Sequence, residues 1–309
     1  MLDLARQVAP TTATVLITGE SGTGKELVAQ MIRDLSGPRS HAFVPVNCAA
    51  IPETLQESEL FGHVRGAFTG AHERKIGKLE RADGGALFLD EISEMPPSLQ
   101  AALLRTLQSG EYAPVGSAET RICDVRVIAA SNRDLRRMVE TGDFRQDLFY
   151  RLNIIRLEIA PLRERRGDIP LLAEHFARTL GAQHGKPGLR VSEAAMRLLV
   201  AHDYPGNARE LENAVRRGVI LAADGEIRPE DLPEDLLAGP AAAAVSDDLR
   251  GFQAAKAEAV EKFERAYLSA VLTRCGGIVS RASAHSGLSE RNFHEKLKRY
   301  GISAKGFRA

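Results

Sequence analysis

A short apolar, β-branched run, Thr14-Val15-Leu16-Ile17, leads into Gly19-Glu20-Ser21-Gly22-Thr23-Gly24-Lys25, and a helix-compatible stretch follows from Glu26 to Leu35. Strand, glycine loop and helix in this order constrain the chain to an α/β fold of the P-loop kind, a parallel sheet flanked by helices. Glycines let the backbone curl so that several N–H groups point inward at phosphate oxygens. The helix N-terminus adds a partial positive charge and Lys25 a full one. Residues Gly19, Glu20, Ser21, Gly22, Thr23, Gly24, Lys25 and Glu26 are therefore the expected phosphate-binding segment for ATP. Glu26 stands where Ser or Thr would place a hydroxyl on Mg²⁺, so the metal must lean on other ligands.

A second half of the site is expected at Ala86-Leu87-Phe88-Leu89-Asp90-Glu91, an unbroken apolar run that reads as a buried strand. It ends in two carboxylates where parallel strands open into a ligand crevice. Asp90 would hold the Mg²⁺ that bridges the β and γ phosphates, and Glu91 would orient or deprotonate the attacking water. An isolated acid pair could instead cap the helix that begins near Ile92. Beside the P-loop the pair favours hydrolysis over simple binding. Val125–Ala130 reads as a further strand, with Asn132 just past its end, placed to sense the γ-phosphate or the water. Arg145 and Arg151 precede a last strand, Ile154–Ile159. By spacing alone both are surface ion-pair partners; six helical residues turn about 600°, so the two cannot share one face and identical roles are not expected.

Between the two halves of this site lies Gly66-Ala67-Phe68-Thr69-Gly70-Ala71. Glycines so close together ordinarily mark a turn. Here they bracket an aromatic and a hydroxyl, a pair that can dock on a partner without serving the core; the plainer alternative makes Phe68 a packed anchor. After the charged, turn-rich Pro161–Asp168, apolar residues recur at helical spacing. Leu171, Leu172, His175, Phe176 and Leu180 form one expected stripe, and Ala195, Leu198 and Leu199 another. This predicts a helical lid whose third helix opens at Pro205-Gly206-Asn207 and points Arg209 back at nucleotide. The plainer reading of Arg209 is a solvated helix arginine.

From Pro233 to Arg250 the residues are small and have little to bury, as in a linker. Beyond it, helices are expected from about Phe252 to Thr273, from Val279 to Ser286 and from Glu290 to Tyr300, the spacing of an all-α helix-turn-helix domain. The chain's formal charge of zero hides an asymmetry: residues 246–309 carry +5 and residues 1–245 carry −5. The basic tail suits double-stranded DNA. Arg291 and Asn292 are the expected base readers, while Lys296, Lys298 and Arg299 suit phosphates. A tail this short is marginal alone, which points to a dimer reading half-sites about 10–10.5 bp apart. The expected boundaries are 1–165 for the ATPase core, 166–238 for the lid, 239–250 for the linker and 251–309 for the DNA-binding domain. Cys48, Cys123 and Cys275 show no metal spacing and fit a reducing cytosol. Neither a signal peptide nor an apolar run of membrane-spanning length is found, so a cytoplasmic location and no membrane partner are expected.

Taken together, these residues resemble the AAA+ ATPases of bacterial enhancer-binding proteins, the NtrC-like activators of sigma-54 RNA polymerase. The resemblance rests on Gly19–Glu26, with Glu26 the family's usual residue, on Glu59–Ala71, on the Phe88–Ile92 and Phe144–Asn153 segments and on Pro205–Asn213. It implies that Asn47 is a switch restraining Glu91 until the γ-phosphate is sensed. Arg145 and Arg151 become arginine fingers supplied in trans within a hexameric or heptameric ring, and Arg209 a second sensor. Residues 66–71 become the contact with sigma-54. The tail is similar to Fis-type DNA-binding domains, especially at Arg281-Ala282-Ser283 and from Lys296 to Ile302, a helix that also carries His294. Tyr204, Val64 and Ile278 depart from the family pattern, where Trp, Glu and Asn are usual; Val64 puts the restraint of the tip loop in question. The first P-loop glycine is residue 19, leaving no room upstream for a receiver or sensor domain, so either a fragment or control by a separate regulatory protein is expected. The competing readings are a DNA-binding repressor whose ATPase governs oligomerisation, and a helicase or clamp-loader type motor that would have no need of Thr69.

Overall fold

The computed structural model describes residues 1–37, 42–223, 225–237 and 252–304. It divides into two compact units, Met1–Gly239 and Pro240–Ala309. The linker expected at 239–250 lies outside the described residues.

Five parallel strands form the centre of the first unit: β1 (Val15–Thr18), β2 (Phe43–Asn47), β3 (Ala86–Asp90), β4 (Arg126–Ser131) and β5 (Ile155–Glu158), in the order β2-β3-β4-β1-β5. Alternation along each strand feeds two separate apolar layers. Val15, Ile17, Phe88, Ile128 and Ala130 face one way, against α1 (Leu2–Val8) and α2 (Lys25–Asp34). Leu16, Leu87, Leu89, Val127 and Ala129 face the other, against α3 (Glu53–Phe61), α4 (Pro97–Ser109) and α6 (Gln146–Leu152), which is preceded by α5 (Leu135–Thr141). Burial on both faces is why β3 and β4 read as continuous apolar runs. Pro45 is tolerated because β2 pairs only with β3 and lies at the sheet edge.

Glycines and prolines set the helix limits. Gly24 precedes α2 with φ 99°, a conformation that a side chain would resist. Pro97 opens α4, and Gly110, at φ 74°, closes it by donating its N–H to Thr106 O at 2.8 Å.

The lid comprises α7 (Ile169–Gln183), α8 (Glu193–Ala201) and α9 (Asn207–Leu221) around their own core. Its buried stripe on α7 differs from the expected one. Ile169, Ala173, Ala177, Leu180 and Gly181 are buried, whereas Leu171 is 70% exposed and His175 is exposed. At Gly181 the reason is local: the chain turns back over the end of α7, and a Cβ there would sit 2.8 Å from Lys186 O.

The second unit holds α10 (Phe252–Arg274), α11 (Val279–Ser286) and α12 (Glu290–Arg299), within one residue of expectation at each end. Its core is Leu268, Val271, Leu272, Ala282, Phe293, Leu297 and Tyr300. Gly287, at φ 69°, ends α11, and the Ser289 hydroxyl caps α12 by accepting from Asn292 N at 3.3 Å.

Candidate functional site

Parallel pairing brings the expected nucleotide residues to one edge of the sheet. Asn47 is the register partner of Asp90, and Thr18 that of Ser131, so Gly19, Asn47, Asp90, Glu91 and Asn132 all lie at or just past the C-terminal strand ends. The Lys25 ammonium, largely buried, donates to Gly19 O at 2.8 Å and Glu20 O at 2.9 Å within its own loop. Its pKa is lowered, first by desolvation; the negative charges of Asp90 and Glu91 oppose that shift, and Arg209 reinforces it. A cation so desolvated, facing two carboxylates, is poised to exchange backbone carbonyls for phosphate oxygens.

Glu91 adopts φ 53° at the start of the short 3₁₀ turn Ile92–Glu94, and its side chain makes no capping bond. The helix-cap alternative for the acid pair therefore does not apply. Asp90 accepts from Glu91 N through Oδ1 at 3.0 Å, and among the described residues Oδ2 has no hydrogen bond. That free oxygen fits Mg²⁺, which takes one or two carboxylates and completes its shell with nucleotide oxygens and water. Glu26 is exposed and accepts from Gln30 at 3.3 Å. Asn47 accepts from Ala50 N at 3.1 Å and makes no hydrogen bond to Glu91. Asn132 is exposed and shares a recess with Gly19, Glu20, Phe149 and Arg156.

The lid and the segment leading into it close on the P-loop through residues that sequence reasoning missed. Asn207 is fully buried. Its Oδ1 accepts from Leu162 N at 2.8 Å, and its Nδ2 donates to Glu20 Oε2 at 3.1 Å and Ser21 O at 3.0 Å. The N-cap of α9 is Gly206, whose N–H is held by Glu210 Oε2 at 2.6 Å, so Asn207 is released from capping to bridge the two layers. Arg163 grips Glu20 through both Nη atoms, at 2.8 and 2.6 Å, and Arg165 donates to Thr23 O at 3.0 Å. The Arg163 and Asn207 bonds hold the Glu20 carboxyl down to about 2. Arg209 reaches Ser21 Oγ at 3.3 Å. A visible clue was the Pro-Gly-Asn step with Glu210 four residues beyond Gly206, able to cap it. The arginines carried no such signal.

Arg145 and Arg151 touch none of the P-loop residues. Arg145 is exposed and paired with Asp147 at 3.1 and 2.7 Å, and exposed Arg151 donates twice to Leu107 O, at 3.1 and 2.8 Å.

Residues 66–71 cap a small antiparallel ladder in which Gly62–His63 pairs with Lys75–Ile76. Gly66 N donates to Ala71 O at 2.8 Å, closing the tip, while Gly66 and Gly70 take φ 80° and 104°. Phe68 is 40% exposed, with its ring edge-on to buried His63 at 5.0 Å. The two readings of Phe68 therefore meet: part of the ring is anchored and the rest faces outward, beside exposed Thr69. Val64 donates to Val115 O at 3.1 Å, and a Cβ on Gly116 would lie 2.7 Å from Ala67 Cβ, so a second loop braces the tip where the departure at Val64 put its restraint in question.

In the second unit Arg281, Arg291, Asn292, His294, Lys298 and Arg299 are exposed. Lys296 differs from these in being engaged within the fold: its ammonium is bound by both oxygens of Glu264, at 2.7 and 2.6 Å, and Tyr300 Oη donates to the same carboxylate at 2.9 Å. Lys296 lies on the side of α12 that carries Phe293, Leu297 and Tyr300, and the helical period turns it away from the outer face.

With this geometry in place, comparison with known proteins gives consistent matches along the chain. Residues 1–158 match the profile "Sigma-54 interaction domain", residues 163–248 "AAA+ ATPase lid domain", and residues 259–300 "Bacterial regulatory protein, Fis family". The Nif-specific regulatory protein of Azotobacter vinelandii is 55% identical over 74% of this chain and 43% of its own length. The transcriptional regulatory protein FlbD of Caulobacter vibrioides is 46% identical over 97% and 68%. The crystal structure of NtrX from Brucella abortus in complex with ATP is 37% identical, with a TM-score of 0.70, over 97% of this chain and 67% of that one. Hsp104 in its closed state, 18% identical with a TM-score of 0.51, shares the fold. The chain thus spans between 43% and 68% of the length of these curated relatives.

Proposed function

The chain belongs to the NtrC-like regulators, AAA+ proteins with a sigma-54 interaction domain and a Fis-type helix-turn-helix, and from that premise we propose that it is an ATP-hydrolysing transcriptional activator. It binds DNA upstream of a promoter through its tail, assembles into a hexameric or heptameric ring, and drives residues 66–71 against sigma-54 RNA polymerase to open the promoter. The observation that carries this reading is the exposed Phe68-Thr69 tip, braced on a two-residue ladder that continues directly from α3, within the same unit as the P-loop.

The P-loop N–H groups and Lys25 hold the phosphates, and Asp90 binds Mg²⁺, which neutralises charge on the phosphates when bound. The Glu91 carboxylate, free of capping duty, orients the water and takes its proton. Asn47, one strand away, restrains Glu91 after rotating from the Ala50 N–H, and Asn132 senses the γ-phosphate. Arg209 reports nucleotide to the lid. Arg145 and Arg151 reach no phosphate-binding residue of their own chain, which supports their action on a neighbour's nucleotide; Arg145 must then exchange Asp147 for phosphate. Residues 166–238 act as the lid, 239–250 as a linker and 251–309 as the DNA-binding domain, working as a dimer in the cytoplasm. Among the described residues no helix is long and apolar enough to cross a membrane.

Thr69→Ala tests the assignment, because among the described residues the Thr69 side chain has no partner. ATPase activity and DNA binding are expected to persist while sigma-54-dependent open-complex formation is lost. Unchanged transcription from the variant would overturn the reading. ATPase activity per subunit should also rise with protein concentration, and a flat value would count against the ring.

A further inference from the structure

The outer face of α12 carries a charge that sits badly with a surface meant for DNA. With about 100° between successive residues, Phe293 and Leu297 point into the core and Arg291, Glu295 and Lys298 share the opposite side. Arg291 and Glu295, four residues apart, lie about 40° from each other on that face; their side chains are 91% and 65% exposed, and Arg291 Nε stands 3.5 Å from Glu295 Oε1. Glu295 thus lies between Arg291 and Lys298, near the middle of the surface that would enter a major groove. A carboxylate brought among phosphates is repelled. Arg291 offsets part of that repulsion from the protein side; on the DNA side a donor is needed, and in the major groove an exocyclic amine supplies one, which cytosine N4 offers without a neighbouring acceptor on the same base.

Resting on the DNA-binding reading above, we propose that Glu295 is a specificity-determining residue: it accepts from cytosine N4–H₂ and fixes one C·G pair in each half-site, while Arg291 beside it reads a guanine. The 3.5 Å approach of Arg291 Nε to Glu295 Oε1 shows that the two side chains reach the same part of the face, so each can meet a neighbouring base. Glu295 lowers affinity for DNA in general and raises it for the sequence that carries the amine. Lys296, withdrawn to Glu264, takes no part.

Selection from random-sequence duplex DNA with the full chain tests this, comparing the unchanged protein with Glu295→Gln, Glu295→Ala and Arg291→Ala. The unchanged protein should select a half-site containing C at one position and G close to it. In both Glu295 variants the preference for that C should fall about tenfold, with non-specific binding equal or tighter and the thermal melting temperature unchanged, since the side chain is exposed. Selection of the same sequence with equal strength by the Glu295 variants would overturn the assignment. So would a loss confined to the guanine, which would make Glu295 only a support for Arg291. If the unchanged protein selected no sequence at all, the DNA-binding reading itself would fall.

Discussion

Asn207 joins the lid to the P-loop, and its replacement by alanine should be among the most damaging single changes in the first unit. The side chain is fully buried, and three hydrogen bonds of 2.8 to 3.1 Å depend on it. Removing Oδ1 leaves the buried Leu162 N–H without a partner, at a cost of about 1–3 kcal/mol. Losing the Nδ2 bond to Ser21 O adds about 1 kcal/mol, and less at Glu20, where Arg163 still holds the carboxylate. The backbone at Asn207 has φ 55°, a region that Asn tolerates and Ala resists by roughly 1 kcal/mol or more. The sum is about 3–5 kcal/mol. In a unit of this size that corresponds to a fall in melting temperature of roughly 6–20 °C. Asn207→Gly should recover about 1 kcal/mol, because glycine relieves the backbone and leaves the bonds missing. Asn207→Asp should keep the Leu162 bond yet place a second carboxylate against Glu20. Thermal unfolding gives the total, and hydrogen exchange at the Leu162 amide isolates the local part. A loss under about 1 kcal/mol with unchanged Leu162 protection would refute the reasoning.

Three further outcomes are expected. In Gly22→Ala the new Cβ would lie 2.2 Å from Gly206 O at a backbone φ of 76°, so the loop and lid cannot close together; nucleotide affinity by fluorescence titration should fall at least about tenfold, and wild-type affinity would contradict this. Because the Glu20 carboxyl is held near 2, below its ordinary 4.5, its pairing with Arg163 stabilises the protein fully above pH 4.5 and is lost as pH falls towards 2; Glu20→Gln should flatten that acid limb in denaturant titrations, and only slightly because the pair is largely solvent-screened, and an unchanged limb would show that the pair contributes nothing. Lys298→Ala should lessen the salt dependence of DNA binding by about one phosphate contact, whereas Lys296→Ala should lower the melting temperature of the second unit and leave that slope alone; equal slopes for both variants would place Lys296 on DNA after all.

Much of this protein is legible in its order of residues because the signals are local. A β-branched run before Gly19–Lys25 and an apolar run ending in Asp90-Glu91 need no distant partner to be recognised, and the three helices expected within residues 252–300 fall within a residue of those observed. The tip at 66–71 is likewise visible as glycines around Phe68 and Thr69. The α7 stripe differs from the expected one because hydrophobicity alone favours Leu171 facing inward, whereas the buried side of the helix is the Ile169, Ala173, Ala177, Leu180 and Gly181 side.

What the tertiary structure alone decided are contacts between residues far apart in the chain. Nothing near Arg126 in the sequence shows that its buried guanidinium donates to Val8 O, Ala9 O and Ala13 O, tying β4 to the start of the chain. Nothing near Arg163 shows that it grips Glu20, or near Lys296 that Glu264 binds its ammonium. The expected nucleotide chemistry is local in the sequence because a loop and a strand end each carry their share of it whole. The clasp between lid and loop and the exposed face of the last helix could not be read there, because a polar side chain's role is set by which distant donor, acceptor or charge packing brings within about 3 Å.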